Sequence, residues 1–301
     1  MNILLLGGMG FLGKNIEKTL SQNNTIFIAD CKIPNKSKNT FEINLKNIHE
    51  LFKILEINKI DIVIHLISSL IPTSDFDMFS KDINDIYFPT IQLIEYCATN
   101  KIKFVYFSSG GAVYGNQKEI FNEKTKREPV SYYGLSKLNF ENAVSFFHYI
   151  KNLQYMIIRP SNPYGYGQNI YGKQGLIAVI IGKILQSSTI QIWGDGSAVK
   201  DYIYIDDFVF YFCNLINDKD TWNQIYNIGS GIGSSINDVL YAFRQNKIEL
   251  PPIEYIGEKK NDVKRMILDC QKIQDRYYHE CISLTEGIKL FWDNQNKIHN
   301  D

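Results

Sequence analysis

Tyr133 and Lys137 stand four residues apart in the stretch Tyr133-Gly134-Leu135-Ser136-Lys137. On a helix that spacing puts both side chains on one face. An ammonium group there can draw a phenol's pKa down, so that the tyrosine exchanges a proton with a substrate hydroxyl. The same ammonium can hold a ribose. As a bare pattern the pair is common, and elsewhere it would be a surface contact. Here it lies downstream of the strand-like run Lys103-Phe104-Val105-Tyr106-Phe107, which leads into Ser108-Ser109-Gly110-Gly111-Ala112-Val113-Tyr114-Gly115. Ser108 or Ser109 could hydrogen-bond the reacting hydroxyl beside Tyr133. Gly110 and Gly111 let the backbone approach a sugar.

A second group of residues suits a phosphate. The apolar run Asn2-Ile3-Leu4-Leu5-Leu6 leads into Gly7-Gly8-Met9-Gly10-Phe11-Leu12-Gly13, and an amphipathic stretch follows from Phe11 to Leu20. A strand, a glycine turn and a helix N-terminus make a cradle for the pyrophosphate of a dinucleotide. Backbone N–H groups and the positive helix end face the phosphates, and side chains at Gly7, Gly10 and Gly13 would obstruct them. Thr25-Ile26-Phe27-Ile28-Ala29 reads as the next strand, closed by Asp30 seventeen residues after Gly13. A carboxylate there accepts both ribose hydroxyls and repels a 2′-phosphate, so NAD is favoured over NADP, a preference that nearby Lys32 would soften.

These residues need a scaffold that gathers strand ends at one edge. Asp61-Ile62-Val63-Ile64-His65-Leu66, the run from Lys103 to Ser108 and Tyr155-Met156-Ile157-Ile158-Arg159 have buried-strand character, and Ile86 to Cys97 and Phe140 to Ile150 have helical periodicity. Such alternation predicts an α/β chain whose parallel sheet is covered by helices on both faces. After Pro160 the texture changes to loops rich in Gly, Asn, Pro and Tyr. The expected division is residues 1–160 for the dinucleotide domain and 161–301 for a smaller substrate lobe, interleaved with the sheet. At 45% hydrophobic and 21% charged residues, with formal net charge zero, nothing suggests a nucleic-acid partner. No apolar run is long enough for a membrane span. Met1 leads straight into the first strand, so no signal peptide is expected. The five cysteines, 31, 97, 213, 270 and 281, show no CxxC spacing; reduced cytoplasmic thiols and no metal site are expected.

Taken together these stretches resemble the extended short-chain dehydrogenase/reductase family, and within it the nucleotide-sugar 4-epimerases. The resemblance runs nearly end to end, through Val63-Ile64-His65-Leu66, Arg159-Pro160-Ser161-Asn162-Pro163-Tyr164-Gly165, Trp193-Gly194-Asp195-Gly196, Asp201-Tyr202-Ile203-Tyr204-Ile205-Asp206-Asp207 and Tyr226-Asn227-Ile228-Gly229-Ser230-Gly231. It implies a Rossmann doubly wound sheet with a C-terminal α/β substrate lobe, bound NAD, and a UDP-sugar or other nucleoside-diphosphate sugar as substrate. Tyr133, Lys137 and Ser109 would be catalytic. Gly7, Gly10, Phe11, Leu12, Gly13, Asp30, Asn44, Leu45, Leu66, Ser108, Tyr133, Lys137 and Pro160 would meet the cofactor. Ser109, Gly110, Tyr133, Asn162, Lys200, Tyr202, Lys259 and Arg265 would meet the substrate. A homodimer is implied, paired through the helices around Ile86 to Cys97 and Phe140 to Ile150, with Phe146, Phe147 and Tyr149 on the apolar face.

Several positions depart from the family pattern. Gly110 stands four before Tyr114, where similar enzymes often carry the catalytic Ser or Thr, which leaves Ser109 one position earlier or no hydroxyl at all. Lys200 and Lys259 replace the arginines that usually clamp the diphosphate, and lysine lacks the bidentate fork, although Arg265 could compensate. Ile86, before Pro89-Thr90, replaces a usual Asn, and Asn44 stands where an Asp usually contacts adenine. The implied reaction is inversion at C4 of a UDP-hexose through a 4-keto sugar, with NAD retained. A 4-ketoreductase of an NDP-6-deoxysugar, exchanging NADPH, is the rival within the family. A 4,6-dehydratase fits less well, because Gly111 and Ala112 occupy the places of its Asp-Glu pair. A dinucleotide-binding regulator or scaffold without turnover is the alternative of another class.

Overall fold

In the computed structural model, residues 1–116, 120–172, 174–257 and 263–300 are described. Ile3 to Leu6 are fully buried, and this unbroken aliphatic run forms β1 (Asn2–Leu6). There follow α1 (Phe11–Leu20), β2 (Thr25–Asp30), β3 (Thr40–Glu42), α2 (Ile48–Ile57), β4 (Ile62–His65), α3 (Phe76–Asp82), α4 (Phe88–Thr99), β5 (Lys103–Phe107), α5 (Gly110–Val113), α6 (Tyr132–Lys151) and β6 (Tyr155–Pro160). The later elements are β7 (Asn162–Tyr164), α7 (Leu176–Leu185), β8 (Ile190–Trp193), β9 (Val199–Tyr204), α8 (Ile205–Asn217), β10 (Gln224–Ile228), β11 (Gly233–Ser235), α9 (Ile236–Gln245), β12 (Ile253–Ile256), β13 (Arg265–Met266), α10 (Gln271–Gln274) and α11 (Leu284–Asn300).

The chain divides into two compact units. Met1–Val113, Pro129–Arg159 and Phe212–Tyr226 form the first, and Tyr114–Glu128, Pro160–Tyr211 and Asn227–Asp301 the second. The large sheet has seven strands in the order β10-β6-β5-β4-β1-β2-β3. The pairs from β3 through β6 are parallel. Strand order reverses between β1 and β4, so the loops after those strands diverge and leave a crevice at their carboxyl ends, the usual ligand position in a Rossmann sheet. Leu4, Leu6, Phe27, Val63, Phe104 and Ile157 join Leu51, Leu93, Ile94, Phe140 and Val144 in one buried cluster, so α2, α4 and α6 seal the sheet on that side.

Two helices differ from expectation. The one expected at Ile86 to Cys97 spans Phe88–Thr99, and Ile86 lies in a π-helical turn over Ile83–Tyr87. Pro89 has no N–H to give the preceding turn, which disrupts the i→i−4 ladder there. The helix expected from Phe140 extends back to Tyr132, because Ser131 caps it and accepts the Gly134 N–H at 3.1 Å. On that helix Phe146 is 55% and Tyr149 87% exposed, whereas Phe147 is only 7% exposed and belongs to the core. The apolar outer face therefore lacks Phe147.

In the second unit β9 pairs with β11, β13 and β7, and β8 pairs in parallel with β12. Buried Asp201 ties this unit together: its carboxylate accepts from Ser230 N and Oγ at 2.9 and 2.8 Å and from Gly231 N at 3.2 Å.

Candidate active site

The glycine cradle is built as its spacing requires. Gly7 has φ +85°, a conformation glycine tolerates at no steric cost. A Cβ on Gly13 would lie 2.4 Å from the Gly8 carbonyl oxygen, so α1 packs on the loop only because position 13 is bare. Gly10 differs. It is exposed, and a Cβ there would meet nothing closer than Gly7 O at 3.5 Å. The protein's own packing does not demand glycine at that point, and the space beside it is open to a ligand. Gly10 also N-caps α1 with no side-chain cap, and the first turn carries no acid. The N–H groups that begin with Phe11 and Leu12 thus remain available to an anion.

Asp30 ends β2 and reaches the loop: its Oδ2 accepts the Met9 N–H at 3.0 Å and its Oδ1 the Cys31 N–H at 2.7 Å. The Cys31 side chain also hydrogen-bonds this carboxylate, whose remaining acceptor capacity suits a ribose hydroxyl. These features fit an adenine dinucleotide. Asn44 follows β3 and accepts the Lys46 N–H at 3.0 Å, while Leu45 turns into the core. Leu66 is half-buried just beyond β4, its N–H bonded to Leu6 O at 2.8 Å. Pro160 is buried at the end of β6.

At the end of β5 the two serines separate. Ser108 is buried and donates to Glu141 Oε1 at 2.6 Å. Ser109 is half-buried and neighbours Tyr133, where its hydroxyl pulls the phenol's pKa down. The sequence left open which serine, if either, serves Tyr133; of the two, Ser108 has its hydroxyl on Glu141. Any cofactor contact from Ser108 falls to its backbone, because its hydroxyl is committed to Glu141. Gly134 brings Tyr133 close, since a Cβ there would sit 2.5 Å from Ala112 O and hold α6 off α5.

Lys137 is buried. Its Nζ donates to Phe107 O at 2.9 Å and lies 5.6 Å from the Tyr133 ring centroid. Burial pushes the ammonium down to about 8, opposed by the Asp82 and Glu141 carboxylates. Burial raises the Tyr133 phenol above its ordinary value, and the Ser109 hydrogen bond pulls the other way. The sequence expectation of a phenol drawn down by Lys137 is therefore not the balance found in the protein alone: desolvation of the phenolate is the largest cause, and it raises the phenol.

Two supporting residues escaped the sequence reading. Glu141 is fully buried and clamps Arg159, accepting Nε at 2.9 Å and Nη2 at 2.6 Å. Its place one turn after Lys137 was the available signal. Asp82, at the end of α3, accepts the Ser136 hydroxyl at 2.8 Å and also that of Ser69. No local pattern announces it.

In the second unit a cavity of about 200 Å³ is lined by Asn162, Tyr164, Gly175, Lys200, Tyr202 and Ile236, among others. Three of the expected substrate residues are thereby gathered. Asn162 Nδ2 donates to Asp201 O at 2.8 Å, and Lys200 Nζ donates to Val263 O. Burial raises the Tyr202 phenol. Arg265 is exposed on β13, paired in register with Val199. Gly110 begins α5 and is buried. Lys259 lies outside the described residues. Among the described residues no group of three or more His, Cys, Asp or Glu could hold a metal, and no helix is long and apolar enough to cross a membrane.

Residues 3–229 match the model of the NAD dependent epimerase/dehydratase family. A Methanocaldococcus jannaschii protein with a provisional UDP-glucose 4-epimerase name is 29% identical over 95% of this chain and 96% of its own. The dTDP-4-dehydro-6-deoxyglucose reductase of Escherichia coli is 31% identical over 81% of this chain and 82% of its own. The Thermotoga maritima UDP-glucose 4-epimerase, solved with UDP-glucose, superposes with a TM-score of 0.90 at 28% identity, covering 99% of this chain and 100% of that one. The family match spans the cradle, Asp30 and the Tyr133–Lys137 helix alike, so the chain belongs to the NAD dependent epimerase/dehydratase family, as an enzyme with NAD for its cofactor.

Proposed function

We propose that the protein is a 4-epimerase of a UDP-hexose, with Tyr133 as the acid/base. The observation that carries this reading is buried Lys137, anchored on Phe107 O with its Nζ 5.6 Å from the Tyr133 ring centroid, with Ser109 beside the phenol. Tyr133 takes the proton from the sugar O4 and later returns it. Ser109 shares that proton, because its hydroxyl can donate to the phenolate and accept from the sugar. Lys137 supplies the positive charge that a buried phenolate requires. Bound NAD would supply the acceptor and donor of the C4 hydride, so the cycle would involve no net oxidation.

The glycine loop and the first turn of α1 would hold the pyrophosphate, Asp30 the adenosine ribose, and Lys137 the ribose next to the nicotinamide. Asn44, Leu45, Leu66, Ser108 and Pro160 complete the proposed cofactor contacts. Asn162, Lys200, Tyr202 and Arg265 would bind the nucleoside diphosphate. Lysine at position 200 carries the charge without the planar fork of arginine.

Support for epimerisation comes from relatives named UDP-glucose 4-epimerase that match over almost the whole chain. Gly111 and Ala112 offer no acid or base for chemistry at C5 and C6. A 4-ketoreductase is the second reading, favoured by the E. coli relative; Asp30 argues against it wherever NADPH is the reductant. Incubation of the purified protein with UDP-glucose, UDP-galactose and their N-acetyl forms, followed by NMR at C4, tests the assignment. Interconversion without added reductant supports it. Reduction of a 4-keto-6-deoxysugar with no epimerisation overturns it. Exposed Phe88, Phe146, Tyr149 and Ile150 suit a homodimer; a monomer by light scattering at micromolar concentration would contradict that part.

A further inference from the structure

Beneath the Tyr133–Lys137 pair lies a polar layer that the proposed mechanism does not use. From β4 comes His65, fully buried, its Nε2 3.1 Å from Thr90 Oγ1. From β5 come the Phe107 carbonyl and the Tyr106 ring, whose centroid is 5.3 Å from Lys137 Nζ. On α6 itself stand Tyr133 and Glu141, and at the end of α3 stands Asp82. These are the titratable and charged groups that face Lys137.

Their electrostatic parts differ. His65 is held neutral, its pKa pushed down to about 3 by burial and then by the Lys137 charge. Burial raises the Tyr106 hydroxyl well above its usual value, so it too is uncharged. Glu141 is an anion, but Arg159 covers both of its oxygens. Asp82 is buried, with no cation in salt-bridge contact among the described residues. Its two oxygens accept from two hydroxyls, Ser69 on the loop after β4 and Ser136 on α6. Acceptance at both oxygens is the pattern of an ionised carboxylate. Ser136 is the residue immediately before Lys137. Where the family pattern would place an Asn, Ile86 packs against the core and offers no polar group. Asp82, one helical turn earlier, supplies one.

We propose that Asp82 is a positioning residue for Lys137: seated on Ser136 and Ser69, its carboxylate keeps the lysine ammonium charged and joins the helix that carries it to the loop after β4. The catalytic consequence presupposes the proton transfer proposed above; the effect on the Lys137 charge does not. Removing an anion beside a buried ammonium disfavours the charged form, so the lysine pKa must fall. Mere loss of a structural hydrogen bond would not lower it.

The test is an NMR titration of the full chain with saturating NAD, using ¹³C-labelled lysine. The Lys137 signal is identified by its absence in Lys137→Met. Asp82→Asn keeps the shape and leaves both serines a hydrogen-bonding partner, and its Lys137 midpoint is expected to fall by about one pH unit or more. Ser136→Ala keeps the carboxylate, and its midpoint is expected to stay within about 0.3 unit, well inside the one-unit scale of a charge effect. Should Asn at 82 not fold, Asp82→Ser removes the charge with room for water and carries the same expectation. An unmoved midpoint without the carboxylate, or an equal fall in Ser136→Ala, overturns the proposal. The alkaline limb of kcat/KM should move with the midpoint. If the midpoint falls and the limb stays, Asp82 keeps its assigned effect on Lys137, and the part given to Lys137 in the reaction is what fails.

Discussion

Glu141→Leu should be among the most damaging single changes in the first unit. The Glu141 carboxylate is fully buried and receives Arg159 through Nε at 2.9 Å and Nη2 at 2.6 Å, and the Ser108 hydroxyl at 2.6 Å. Leucine fills much the same volume but takes from the buried Arg159 guanidinium the carboxylate that holds its Nε and Nη2. Breaking a buried pair from one side costs about 3–5 kcal/mol, because the remaining charge keeps its desolvation penalty. That is a large share of the ~5–15 kcal/mol that holds a typical fold. With a urea m-value of about 3 kcal/mol/M the unfolding midpoint should drop by roughly 1–1.7 M. The double change Glu141→Leu/Arg159→Met removes both charges and should recover most of the loss. Urea unfolding followed by far-UV circular dichroism measures both. A single-variant cost below about 1 kcal/mol, against the 3–5 kcal/mol of a broken buried pair, or a double variant as unstable as the single, would refute this reasoning.

Other positions give sharp expectations. Asp30→Ala should narrow the preference for NAD over NADP, since it removes both the ribose acceptor and the repulsion of a 2′-phosphate; equal or tighter NADP binding by the unmutated protein, measured by titration calorimetry, would contradict it. Ser109→Ala should slow turnover, though less than loss of the tyrosine hydroxyl, because the serine is an auxiliary donor. Ser108→Ala should lower stability more than it alters the proton transfer, because that hydroxyl bonds Glu141; steady-state kinetics with the opposite ranking would sink the division of labour between the two serines.

The parts of this site that were legible in the sequence are local. The cradle from Gly7 to Gly13 and Asp30 at the end of β2 are defined within thirty residues, and strand, turn and helix signals coincide there. Tyr133 and Lys137 share a face because they share a helix. Successive residues at a strand end point to opposite sides, so Ser108 and Ser109 had to differ. Which of them meets Tyr133 depends on α5 and α6 packing against each other at Gly134, and no spacing reports that. Asp82 lies 54 residues from Ser136 and Glu141 lies 18 from Arg159, so both clusters exist only after folding. Phe146 and Phe147 are adjacent and equally apolar, yet only the second reaches the core. The direction of the Tyr133 shift was missed for a related reason: the spacing announces the ammonium, whereas the desolvation that raises the phenol is a product of burial, which no spacing reports.

Tyr133→Phe tests the central claim most directly. It keeps the ring and removes the group that moves the proton, while the glycine loop, Asp30 and Lys137 remain. With a UDP-hexose that the unmutated enzyme interconverts at C4, the rate in Tyr133→Phe should fall by about 10²–10⁴-fold, with NAD affinity nearly unchanged. Interconversion by Tyr133→Phe at the unmutated rate would contradict the account.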